Sequence, residues 1–112
     1  MDPTLLIPPN VTPQVGLATS IAVGGTAVLV FPPGVYGGYI VNPLSTADQG
    51  ISPVEPLYIN PFTVPTLNGF GTTSVIAAGA MWSVPIAKST IGVWVNATTT
   101  GHRFTAVYWI GP

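Results

Sequence analysis

Charge is what this sequence most lacks. Only Asp2, Asp48, Glu55, Lys88 and Arg103 are charged at neutral pH, 4% of the chain against about 25% in ordinary domains. Two basic residues cannot form a phosphate-reading surface, which excludes nucleic acid as a partner. A net charge of −1 gives little self-repulsion, so a free monomer at high concentration is expected to associate. Cysteine is absent, which rules out a disulfide framework and a thiolate metal site. His102 is the only histidine, so no multi-histidine metal site exists within one chain. No basic region precedes the first apolar residues after Met1-Asp2-Pro3, so no signal peptide is expected. Residues 3–47 carry no charge, yet Pro8-Pro9, Pro13, Gly24-Gly25 and Pro32-Pro33 interrupt them. No apolar helix of about 20 residues fits, and a membrane span is not expected.

What is present is apolar and heavily punctuated. Hydrophobic residues make up 47%, with 13 Gly and 13 Pro, the composition of one folded domain with a modest core. Residues 1–14, MDPTLLIPPNVTPQ, read as an extended arm rather than a strand, because four prolines remove donors and impose extended backbone. Such an arm reaches about 40–45 Å. Its apolar cluster, Leu5, Leu6 and Ile7, either folds back on its own domain or docks on a neighbouring subunit. Residues 15–112 read as the folded domain.

Alternation places the strands. Leu17–Val23 alternates Leu17, Thr19, Ile21 and Val23 against small residues, and Gly24-Gly25 turns the chain into Thr26–Phe31. Pro33-Gly34 suits a type II turn. Val35–Asn42 follows, with Gly37-Gly38 marking a bulge or a close backbone approach. LSTADQGISPVE, residues 44–55, reads as an exposed loop, and Pro56–Asn60 as a short strand. Thr72–Ile76 and Met81–Ile86 read as a central hairpin across Ala77–Ala80, with Trp82 as the core anchor. Ile91–Ala97 and Arg103–Ile110 complete the set, paired across the loop at Thr99–His102. The expected fold is all-β: an antiparallel β-sandwich, jelly-roll or Ig-like, of about eight short strands with an extended N-terminal arm.

The last two strands carry the functional signal. If Ile91, Val93, Val95 and Ala97, with Phe104, Ala106, Tyr108 and Ile110, face the core, Trp94 and Trp109 point outward. Pairing them as neighbours brings the two indoles close, with Trp109 over Gly92. Thr26–Phe31 and Val35–Asn42 are apolar on both faces, as strands covered on both sides are. The interface residues expected are therefore Leu5, Leu6, Ile7, Trp94 and Trp109.

Catalytic chemistry is not in view. Asp48 and Glu55 read as solvated loop charges, and His102-Arg103 as a turn into a strand. No Gly-x-Ser-x-Gly elbow occurs, and no catalytic residue, metal ligand or cofactor is assigned. Asn10-Val11-Thr12 and Asn96-Ala97-Thr98 match the glycosylation sequon, of which about one is expected by chance, so the two carry little information.

Several pieces together resemble small virion proteins of tailed bacteriophages. They are Tyr39-Ile40-Val41-Asn42-Pro43, Glu55-Pro56-Leu57-Tyr58-Ile59-Asn60, Gly71-Thr72-Thr73, Gly79-x-x-Trp82-Ser83-Val84-Pro85, Val93-Trp94-Val95-Asn96-Ala97 and Gly101-His102-x-Phe104-Thr105-Ala106-Val107. The resemblance spans residues 36–109 and is to β-sandwich decoration or cement proteins and the base domains of head fibres. It implies a structural protein without catalytic residues or cofactor. The expected partner is a major capsid protein or another virion protein, with homo-oligomers, a trimer foremost. The expected place is the phage head surface, after synthesis in the host cytoplasm. Two other readings remain: a carbohydrate- or receptor-binding module stacking ligands on Trp94, Trp109 and Tyr108, and a membrane-inserted or adhesive β protein. The strands fall short of the about 9–11 residues a membrane barrel needs.

Overall fold

A computed structural model describes residues 12–84 and 92–111. The expected contacts of Leu5, Leu6 and Ile7 lie outside the described residues. The described residues form eight strands: β1 (Thr12–Val15), β2 (Val28–Phe31), β3 (Gly37–Val41), β4 (Leu57–Asn60), β5 (Ser74–Ile76), β6 (Met81–Val84), β7 (Val93–Asn96) and β8 (Thr105–Ile110). One helical turn, α1 (Thr46–Gln49), stands between β3 and β4. Among the described residues no helix is long and apolar enough to cross a membrane.

Two four-stranded antiparallel sheets form the sandwich, a first in the order β1-β8-β3-β6 and a second in the order β2-β7-β4-β5. The chain is a long ribbon folded on itself, pairing β4 with β5, β3 with β6, β2 with β7 and β1 with β8. Successive pairs alternate between sheets, and the added contacts β3–β8 and β4–β7 complete each sheet. This is the double Greek-key arrangement of a jelly roll.

Inward-facing side chains from both sheets make one core: Val30, Phe31, Ile40, Leu57, Ile59, Ile76, Val93, Val95, Ala106 and Tyr108, joined by Ile21 and Phe104. Phe31 and Tyr108 touch across the layers, ring centroids 5.7 Å apart and tilted by 53°. β2 steps two residues, Leu29 to Phe31, against one step on β7, a bulge that accompanies burial of both Val30 and Phe31. Gly38 is a close approach: a Cβ there would lie 2.5 Å from Val107 O and 3.0 Å from the Phe31 ring.

Four expectations are corrected by the pairing. Ser74–Ile76 and Met81–Val84 do not form a hairpin, because β5 pairs with β4 and β6 with β3. Ala77–Ala80 instead crosses from one sheet to the other, with Gly79 at φ 83°. Likewise β7 and β8 belong to different sheets, so Trp94 sits opposite Leu29 and Asn60, while Trp109 sits opposite Pro13 and Gly37. The two indoles are on opposite outer faces. Leu17–Val23 is not a regular strand; Leu17 N donates to Val30 O in the second sheet, while Ile21 N donates to His102 O. Ile21 is fully buried, whereas Leu17 is 54% and Val23 58% exposed. Finally, Thr12–Gln14 belong to β1 rather than to an arm. Pro13 is tolerated there because β1 is an edge strand.

Trp82 lies opposite Ile40 on the edge strand β6 and packs, half-buried, against the core. It closes the rim of the core, whereas Phe31 and Ile40 are fully buried.

Candidate functional site

Two features stand out, a buried polar cluster and an uncharged outer face. The cluster begins in the segment expected to be an exposed loop. Ser45 caps α1 by accepting from Asp48 N at 3.1 Å, and Gly50 ends it at φ 74°. This single turn aims Gln49 inward, where it is fully buried. Gln49 Nε2 donates to Pro43 O at 2.8 Å and Asn42 Oδ1 at 3.1 Å, and its Oε1 accepts from Glu55 N at 3.0 Å. Asn42, the residue that follows β3, donates from Nδ2 to Glu55 O at 3.0 Å and Ile76 O at 2.9 Å.

His102 enters from the crossing between β7 and β8. Its ring is fully buried, with Nε2 2.8 Å from Asn42 Oδ1 and Nδ1 2.9 Å from Glu55 Oε1. Thr99 adds two bonds, N to Glu55 Oε1 at 3.0 Å and Oγ1 to Oε2 at 2.9 Å. Partial burial pushes the Glu55 carboxyl up, but the bonds from His102 and Thr99 outweigh it and hold the group below the usual carboxylate range. Glu55 is thus not a solvated loop charge, and His102 is more than part of a turn. Asp48, the other acid among the described residues, is exposed. No buried side-chain polar atom among the described residues lacks a partner.

Both ring nitrogens of His102 are engaged, and the ring has no exposed surface to offer a substrate. The arrangement is a fastening between segment 42–55 and the 97–104 crossing, which are remote in sequence. No group of three or more His, Asp or Glu side chains among the described residues is placed to hold a metal ion.

The outer face of the first sheet follows from its register, since directly opposed residues share a face. Its rows are Pro13–Trp109–Gly37, then Val15–Val107–Tyr39–Ser83, then Thr105–Val41–Met81. None of these residues is charged. Val15 is 70% and Met81 63% exposed, while Trp109, Tyr39, Val107 and Val41 are half-buried. Trp109 lies against Tyr39, centroids 5.9 Å apart, and is paired with Gly37 on β3. At the foot of the face an open hollow of about 400 Å³ is lined by Val41, Pro43, Asp48, Arg103, Phe104 and Thr105. Arg103 is held there by Nη2 donating to Ala47 O at 2.6 Å and by its own N donating to Gln49 O at 2.8 Å.

The outer face of the second sheet is partly occupied by its own loops. Asn60 donates to Thr72 Oγ1 and Thr73 Oγ1 and accepts from Phe62 N and Thr63 N, while Asn96 donates to Gly25 O. Asn96 is buried, so its sequon offers no accessible acceptor. Of the aromatic residues expected as stacking platforms, Tyr108 faces the core, and Trp94 and Trp109 are on different sheets. The cluster of Asn42, Gln49, Glu55 and His102 was missed by sequence reading. In a chain this poor in charge, each retained ionisable group is a candidate for a specific partner, which was the available signal. No family model, curated protein or solved structure matches the chain.

Proposed function

We propose that this chain is a structural virion protein that decorates or cements a phage capsid through apolar, charge-poor contacts. The observation that carries the reading is the outer face of the first sheet, an uncharged surface with Val15 and Met81 standing out and Trp109 against Tyr39. A surface of this kind gains by being covered, at about 25 cal/mol for each Å² of apolar area removed from water. The two-Greek-key sandwich is an architecture shared with viral capsid and lectin domains, a likeness of architecture and not of activity. In this reading the partner is a major capsid protein or another virion protein, and self-association, a trimer foremost, brings further copies together on the head surface. Leu5, Leu6 and Ile7 add apolar contacts of the same chemistry.

The alternative, a carbohydrate- or receptor-binding module, keeps one supporting observation, the Tyr39–Trp109 pair on an open face. It has lost its shared platform.

The test is co-purification with particles in fixed stoichiometry. Val15→Glu and Met81→Glu should each keep the thermal melt and lower occupancy at least tenfold, while Val75→Glu on the second sheet leaves occupancy unchanged. Occupancy should change little between low and moderate salt, because few charges are available to screen. Full occupancy of both glutamate variants, or a steep salt dependence, would overturn the reading.

A further inference from the structure

His102 is fully buried, and neither of its ring nitrogens faces a donor. The oxygen opposite Nε2 is fixed by its own amide. Asn42 Nδ2 donates to two backbone carbonyls, Glu55 O and Ile76 O, so the amide cannot be reversed. Asn42 Oδ1 only accepts, and Nε2 must carry a hydrogen. Opposite Nδ1 stands Glu55 Oε1, which also accepts from Thr99 N, while Oε2 accepts from Thr99 Oγ1. A carboxylate that accepts from both donors of Thr99 is favoured in its anionic form. Nδ1 must then carry a hydrogen as well.

We propose that His102 is held as the doubly protonated imidazolium in the folded protein, and that its proton on Nδ1 makes the contact with Glu55 a pH-gated clasp between segment 42–55 and the 97–104 crossing. Of the charged groups on the described elements around the ring, Glu55 alone bonds to it. The Arg103 guanidinium is turned to Ala47 O, and Asp48 is exposed on α1. With one proton between Nδ1 and Oε1, donor faces acceptor. A second proton, at low pH, neutralises the carboxylate and leaves the buried imidazolium without its counter-charge; loss of the first, at high pH, sets a lone pair against the carboxylate. Either change opens the clasp. Release reaches α1 through Gln49 and Arg103, and so alters the floor of the hollow beside the outer face. The inference does not depend on the virion reading.

Nitrogen-15 NMR of the imidazole tests it on the intact chain, and with one histidine every ring signal belongs to His102. The expected result near neutral pH is hydrogen on both ring nitrogens, with two ring N–H signals. In Glu55→Gln one of the two is expected to be lost at the same pH. The backbone amides of Gln49, Thr99 and Arg103 should shift in step with the ring as pH is changed. A bare ring nitrogen in the wild-type protein near neutral pH would overturn the assignment. Amides that stay fixed while the ring titrates would overturn the clasp. Both readouts are taken on the wild type and stand even if Glu55→Gln fails to fold.

Discussion

Asn42 and His102, sixty residues apart in sequence, meet at 2.8 Å inside the protein, ring Nε2 donating to the amide Oδ1. Asn42 is the hub of the cluster, because its side chain also binds the carbonyls of Glu55 and Ile76 and accepts from Gln49. Asn42→Ala leaves several buried groups unpaired and is expected to cost about 3–5 kcal/mol. Asn42→Asp is nearly isosteric but turns an oxygen toward two carbonyls, so a loss of similar size is expected. Urea unfolding of both variants checks this; a mild effect of the aspartate would show that hydrogen-bond direction does not matter here.

Glu55 sets the acid side of the stability profile. Its folded-state carboxyl titrates below the ordinary range, so in the unfolded chain it takes up a proton at higher pH than in the folded one. Its contribution is therefore complete above the unfolded value and is lost as pH falls through the lowered folded value. Melting temperature should drop across that acidic window, and Glu55→Gln should flatten the drop. An unchanged acid slope in the variant would assign the effect to another group.

Gly38 has no space for a side chain. A Cβ 2.5 Å from Val107 O and 2.9 Å from Tyr108 Cα meets backbone, which cannot yield as a flexible side chain can. Gly38→Ala is expected to destabilise by about 1–3 kcal/mol or more through strain between β3 and β8. Gly34→Ala has open space but φ 90°, so its cost should come from backbone conformation alone. Melts of the two variants separate overpacking from backbone strain.

Trp82 is half-buried at the rim. Truncation to alanine should cost about 2–3 kcal/mol, less than the 3–5 kcal/mol typical of a fully buried large aromatic. Denaturant unfolding measures the difference, and a loss at the upper figure would mean that the rim is as tightly packed as the centre.

Faces were legible in this sequence and partners were not. Val93, Val95 and Ala97 point inward, as do Phe104, Ala106 and Tyr108, and Trp94 and Trp109 face out, because the two-residue period of a strand records which side is dry. Ile110, expected on the inner side, is instead 39% exposed at the end of β8, beyond the cover of the core, and Ile91 lies outside the described residues. The same period looks alike whichever sheet a strand joins. Four residues, Ala77–Ala80, can close a hairpin or span the about 10 Å between packed sheets, and here they span. The cluster was illegible for a related reason. His102 and Glu55 lie 47 residues apart, and only the sheet-to-sheet crossings bring them together. Gln49 read as a polar loop residue, since one capped turn of helix, too short for a periodic pattern, is what points it inward.

The nested ribbon has a kinetic consequence. The pairs Ile59–Ser74, Val41–Met81, Val28–Val95 and Val15–Val107 lie one outside another along the chain, each about 25 residues wider than the last. Once an inner pair has closed, the next loop is only that increment, and its closure entropy grows slowly with length. Formed in any other order, the outermost pair must close nearly the whole chain at once. The chain should therefore zip from β4 and β5 outward and, with its high share of long-range contacts, do so in milliseconds to seconds rather than microseconds. Pulse-labelled hydrogen exchange during refolding should find β4 amides protected before those β8 shares with β1. The last strand to join is then β1, the end of its sheet among the described strands, and Pro13 makes it the natural place for the chain to pause before it is sealed.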